Sequence, residues 1–177
     1  NVNETEKNVN LALNKPVTAS ANHGANLDKA NLTDGKESTR WSTEMGPVQW
    51  AYVDLGKTES MNTFRVIWES DTVYASAYKI YVSDDKDNFG NAVVTRTDNT
   101  KKDVTEMISE PVSGRYVNFE VTNLFGYPSV SAREFEVSLT EHKVQDPTAN
   151  VALKKPGYAS SEEDPSVEAS SSELAYP

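Results

Sequence analysis

Apolar residues along this chain recur at every second position. In "MNTFRVIWES" (61–70) Phe64, Val66 and Trp68 share one face. In "AYKIYVSDD" (77–85) Tyr78, Ile80 and Val82 point inward. "RYVNFEVTN" (115–123) alternates Val117, Phe119 and Val121, and "REFEVSL" (133–139) alternates Phe135, Val137 and Leu139. "AYVDLG" (51–56) is a short strand closed by Gly56, and residues 103–110 supply a further candidate. A period of two marks half-buried strands. Asp-Gly, Asp-Asp, Ser-Gly and Gly-Tyr-Pro turn signals separate the runs. No segment carries a helical apolar stripe longer than about two turns. The pattern predicts an all-β sandwich with long polar loops at 20–50, 69–76 and 123–132.

Self-similarity sets the expected domain limits. "NLALNKPVTAS" begins at Asn10 and "NVALKKPGYAS" at Asn150, with seven of eleven positions identical and an offset of 140 residues. That spacing predicts tandem domains, since solenoid periods are far shorter. The reading is a polar tail over 1–9, one complete sandwich over 10–140, a linker over 141–149, and the truncated start of a similar module over 150–177. The Ser- and Glu-rich end of that last piece lacks a core of its own. With Asn-Val-Asn at its start, the chain reads as a piece of a longer, multimodular protein, monomeric within it.

Composition narrows the partners. A net charge of −10 and a pI of about 4.7 exclude a nucleic-acid binder, which needs Lys and Arg to displace counterions from phosphate. The same charge opposes anchoring on anionic lipid, and no apolar run approaches the roughly 18 residues of a membrane helix. The absence of Cys removes disulfides, thiolate metal sites and Cys nucleophiles together.

"DGKESTRWS" (34–42) packs a tight turn, several polar side chains and a Trp into nine residues. Hard cations such as calcium take about 6–8 oxygens from carboxylates, hydroxyls and backbone carbonyls. Asp34, Thr39 and the carbonyls around Asn31 and Lys36 offer most of such a shell. A second acid from a distant strand is required, and Glu134 is the candidate. The alternative is a plain Asp-Gly turn with Thr39 capping the loop.

These motifs, taken with "NLALNKPVTAS", "QWAYVDLG", "YKIYVSDD", "RYVNFEV" and "SAREFEV", make the chain resemble the F5/8 type C (discoidin-like) family from about Asn10 to Leu139. Within it the chain is most similar to family 32 carbohydrate-binding modules of bacterial glycoside hydrolases. The resemblance implies a jelly-roll β-sandwich with one structural Ca2+. Asp34 and Thr39 match the family's side-chain ligands, and Asn31 and Lys36 its carbonyl donors. Glu134 matches the final carboxylate, with the carbonyl of Arg133 beside it. The resemblance also implies a secreted bacterial accessory module. Trp41, under the metal loop, and Trp50 read as mainly structural.

A catalytic role finds little support. The chain has no Gly-x-Ser-x-Gly elbow and no Gly-rich phosphate loop. Its two His are His142, in the linker, and His23, read as a solvated loop residue. A sugar binder needs aromatic rings for pyranose C–H faces and a few polar groups for hydroxyls. Candidates are Trp68, Glu69 and Tyr74 in "WESDTVYAS", and Asn123, Phe125 and Tyr127 in "NLFGYPSV". Trp68 also continues the inward Phe64–Val66 face. Galactose-reading relatives carry a His where this chain has Ser42, and an Arg in the loop where it has "WESDTVYAS". A Trp-Glu pair there resembles members that read glucosamine-type sugars, so the expected ligand is a glycan with a terminal N-acetylhexosamine of the GlcNAc type. The competing readings are a discoidin-like adhesion module for a protein, or for a membrane surface without insertion. The 69–76 and 123–130 loops contain no Lys or Arg, which disfavours lipid.

Overall fold

The computed structural model describes residues 8–141. The module start expected over 150–177, nearly all of the linker, and most of the N-terminal tail lie outside the described residues. Seven strands form: β1 (Val17–Ala19), β2 (Trp41–Ser42), β3 (Gln49–Trp68), β4 (Tyr74–Ser83), β5 (Val94–Arg96), β6 (Asp103–Phe125) and β7 (Ser131–Ser138). Every pairing is antiparallel, in the order β2-β7-β3-β6-β4-β5, with β1 against β3.

Two strands expected as separate pairs are continuous. The runs at 51–56 and 61–70 fuse into β3, and those at 103–110 and 115–123 into β6. Residues 49–54 of β3 pair with 121–116 of β6, and residues 63–67 pair with 107–103. Between these stretches the register slips at Asp54/Glu59 and Met61/Thr63. Gly56, expected to end a strand, instead takes φ +86° within it. Bulges of this kind bend a strand without ending its ladder. The two long strands therefore contribute to both layers of the sandwich. One layer holds β1, β4 and β5, and the other holds β7 and β2.

The core lies between the layers. Phe119 of β6 meets Phe135 of β7 at 4.9 Å, and Trp41 and Trp68 at 5.9 Å each, all in edge-on geometry. All four are fully buried. Glu106 is a buried acid: its carboxylate accepts from the Tyr78 hydroxyl at 2.7 Å and from Arg96 Nε and Nη2 at 2.9 and 2.8 Å. With all its partners in place it is tolerated beside the core. No described helix is long and apolar enough to cross a membrane.

Candidate functional site

The long 20–50 segment is organised by short-range polar bonds. Asp28 caps a short 3-10 turn (Lys29–Thr33) by accepting from Ala30 N. Asp34 follows directly, and Gly35 takes φ +77° to complete the bend. Asp34 Oδ1 and Glu134 Oε1 both accept from the backbone N–H of Lys36, at 2.9 and 2.8 Å. Thr39 Oγ1 lies 2.7 Å from Asp34 Oδ2 and 2.9 Å from the Lys36 carbonyl. Five of the six residues singled out for a cation thus meet around one point or flank it. The sixth, Asn31, donates its side-chain Nδ2 to the carbonyls of Asn26 and Arg40 and so is anchored beside the loop by its amide nitrogen.

Glu134 is the informative member of this group. It is 2% exposed, and its Oε2 is buried without a partner. Burial, with the neighbouring Asp34 carboxyl, pushes its pKa up to about 8. A buried acid with an orphaned oxygen, set beside a half-buried one, is what a bound cation would relieve. Among the described residues no group of three or more His, Cys, Asp or Glu gathers. The remaining oxygens come from a hydroxyl and carbonyls, a donor set that fits a hard cation and not a transition metal. The Arg133 side chain runs elsewhere, donating to the Glu69 carbonyl and to the Glu37 carbonyl, each at 2.8 Å. It ties the 34–39 loop to the 69–73 loop.

That second loop borders a cavity of about 310 Å³ at the loop end of the sandwich. Glu69 and Tyr127 line it, together with His23, Arg40, Ser42 and Glu44. Arg40 Nη1 sits 3.3 Å from Glu69 Oε2 and donates to Ser131 Oγ at 2.8 Å. The carboxylate of Glu69 is thereby held in place. His23 Nδ1 lies 3.6 Å from Glu44 Oε1, and both line the same cavity. Tyr127 is 61% exposed, so its ring is free to receive a ligand.

The other sugar candidates separate. Phe125 is 51% exposed and stacks on Tyr74, with centroids 4.8 Å apart and planes 13° apart. Tyr74 is buried beneath it, so only the outer face of Phe125 remains available. Both belong to strands, because β6 extends to Phe125 and β4 begins at Tyr74. Asn123 is exposed on β6, paired with Ala77, and does not line the cavity. Trp68 is corrected outright. It is 0% exposed, packed on Tyr78 and Phe119, and has no face to offer a sugar. The period-two face that begins at Phe64 carries it into the core.

Sequence reasoning missed His23, Arg40 and Glu44. His23 is the solvated loop residue expected from the sequence, and its backbone N–H donates to the Ser42 carbonyl at 2.9 Å, which seats the 20–24 segment beside β2. A His and an Arg therefore do reach this cavity, from a different loop than the one inspected. No local motif announces this, since His23 and Glu44 are 21 residues apart along the chain and Arg40 and Glu69 are 29 apart.

An antiparallel β-sandwich with a polar, aromatic-rimmed cavity among its loops defines a class of small ligand-binding domains. The chain belongs to the F5/8 type C domain family, whose model matches residues 16–145. Among solved structures it is 36% identical to chitosan-binding module 1 of a chitosanase/glucanase from Paenibacillus sp. IK-5 (TM-score 0.66, covering 73% of this chain and 98% of that one). It is 31% identical to module 2 of the same enzyme, solved with chitotriose (TM-score 0.66, 73% and 99%). A family 32 module from Clostridium perfringens, in complex with GalNAc-β-1,3-galactose, shares the fold at 21% identity (TM-score 0.64, 71% and 95%). No curated protein matches the chain.

Proposed function

We propose that this domain is a non-catalytic carbohydrate-binding module of a secreted bacterial glycoside hydrolase. Its loop-end cavity takes a terminal sugar of the GlcNAc type. The observation that carries this reading is the pairing, in one cavity, of an exposed aromatic ring (Tyr127) with a positioned carboxylate (Glu69, held by Arg40). The ring suits the C–H face of a pyranose, and the carboxylate accepts from a hydroxyl or from the nitrogen at C2. The chitosan-binding relatives support a glucosamine-configured ring. Two carboxylates on the rim, Glu44 and Glu69, also suit a free amine at C2, so glucosamine itself belongs in the test.

Each hydrogen bond exchanged with water nets only about 0.5–1.5 kcal/mol. The affinity is expected in the range of about −4 to −6 kcal/mol, millimolar to tens of micromolar. Titration of GlcNAc, glucosamine, GalNAc and galactose is followed by NMR. Shifts at Glu69, Tyr127 and Arg40 with the glucosamine-configured pair, lost in Tyr127→Ala, are the expected result. Saturable galactose binding at these residues, with none for GlcNAc or glucosamine, overturns the sugar assignment.

We further propose that Ca2+ occupies the Asp34, Thr39 and Glu134 cluster. The carbonyls of Asn31, Lys36 and Arg133 would complete its shell. The orphaned Glu134 Oε2 supports this assignment. The ion would brace loops and take no part in chemistry.

A further inference from the structure

The outer face of the layer holding β4 and β5 carries a second group of aromatic rings. Strand register sets its side chains in rows. Trp50, Glu120 and Lys79 form one row, and Tyr52, Asn118 and Tyr81 the next. Tyr116 begins a third, opposite Asp54 and Ser83. The residues between them, such as Ala51, Val117, Phe119 and Ile80, are buried in the core, so these rows point away from it. Phe89, from the loop after β4, folds over the middle row, 5.7 Å from Tyr52 and 6.4 Å from Tyr81. Trp50 and Tyr52 lie parallel within 9° at 5.9 Å, and Tyr116 meets Tyr52 edge-on at 5.8 Å. All five rings are half-buried, and none contributes to the core.

An independent observation sits at the centre of this patch. Asn118 is 7% exposed, and its Oδ1 is buried with no hydrogen-bond partner. It stands between Tyr52 and Tyr81 in the middle row. Buried amide oxygens are nearly always satisfied, so an orphan under an aromatic patch points to a donor that arrives from outside.

We propose that this face is a second carbohydrate-binding surface, distinct from the loop-end cavity, that takes a flat β-1,4-linked polysaccharide ribbon. Such a ribbon exposes axial C–H groups on its flat sides, which stack on aromatic rings, and hydroxyls along its edges. Tyr hydroxyls, the Asn118 amide, Glu120 and Lys79 supply partners for those edges. No Leu, Ile, Val or Met stands in the rows, and the rings alternate with amide, carboxylate and ammonium groups, the mixture that a polyhydroxylated polymer engages. The charges are balanced, with Asp54 2.7 Å from Arg115 and Glu120 beside Lys79 in register, which suits an uncharged polymer.

The test uses the whole chain. Depletion on insoluble chitin and on insoluble cellulose is measured alongside NMR titration with chitohexaose and cellohexaose. Trp50→Ala/Tyr52→Ala is expected to lose at least tenfold in affinity for chitin or cellulose, while GlcNAc and glucosamine shifts at the cavity persist. Glu69→Gln/Tyr127→Ala is expected to do the reverse, losing monosaccharide shifts and keeping polymer binding. The pair separates failure of this surface from failure of the cavity assignment, and the chitin and cellulose arms separate the two ribbons. Should the first double variant not fold, Tyr116→Ala and the Trp50 indole N–H of the unaltered chain carry the test. Unchanged polymer binding in a folded Trp50→Ala/Tyr52→Ala chain overturns the proposal. So does a Trp50 indole signal unmoved by saturating amounts of both hexasaccharides, or an absence of polymer binding altogether.

Discussion

Trp68 and Tyr127 are both aromatic and both were candidates for stacking on a sugar, yet their surroundings are opposite. Trp68 touches Tyr78 and Phe119 and sees no solvent, while Tyr127 stands more than half exposed at the cavity rim. Trp68→Ala should cost about 3–5 kcal/mol of stability through lost burial and the cavity left behind. Denaturant unfolding measures it, and Tyr127→Ala should leave the midpoint nearly unchanged while removing sugar binding. Glu106 provides a second residue-scale outcome. Burial raises its pKa, but the Arg96 guanidinium and the Tyr78 hydroxyl outweigh burial and hold the carboxyl below its usual 4.5. A group depressed in the folded state stabilises above its unfolded pKa and loses that contribution as pH falls through the folded value. Melting temperature should therefore fall as the pH drops below about 4.5. The fall should be shallower in Glu106→Gln, whose amide takes up no proton.

At the scale of elements, the site depends on how closely two connections approach. Gly126, with φ +93°, lies against the Thr72 carbonyl, and a Cβ there would overlap it. The turn after β6 that presents Tyr127 is thereby set on the 69–73 loop that presents Glu69. Gly126→Ala is expected to cost about 1–3 kcal/mol in backbone strain and to weaken sugar binding by moving Tyr127. Calorimetry and the NMR titration check the two effects, and full binding with unchanged stability would disprove the coupling. The strands themselves were readable because alternation is a local property. Their continuity was not: Gly56 and Gly114 resemble strand ends in sequence, but each lies within a bent strand. Gly114 is buried against Ser83 and Val82, where a side chain would clash.

Across the whole molecule, Asp34 and Glu134 are 100 residues apart and close one loop onto the last strand. A cation there would cross-link the fold and stabilise it by RT ln(1 + [L]/Kd). Excess EDTA is expected to lower the melting temperature, and added Ca2+ to restore it. Asp34→Ala and Glu134→Ala should no longer respond to the ion. An unchanged melting temperature on chelation, together with variants that still respond to Ca2+, would remove the ion from the account. The sequence by itself determined the all-β class, the inward faces of the main strands and the acidic net charge. Each of these follows from local alternation or from summed charge. It also carried the motif set of the family, and with it the acids of the 34–39 loop and the last strand. Only the tertiary structure decided which polar residues share a cavity. His23, Arg40, Glu44, Glu69 and Tyr127 come from four separate connections, and their meeting depends on long-range register, which no local pattern encodes. The same is true of the outer aromatic face. Trp50, Tyr52, Tyr81, Phe89 and Tyr116 are scattered along 67 residues, and only the pairing of β3, β6 and β4 sets them side by side.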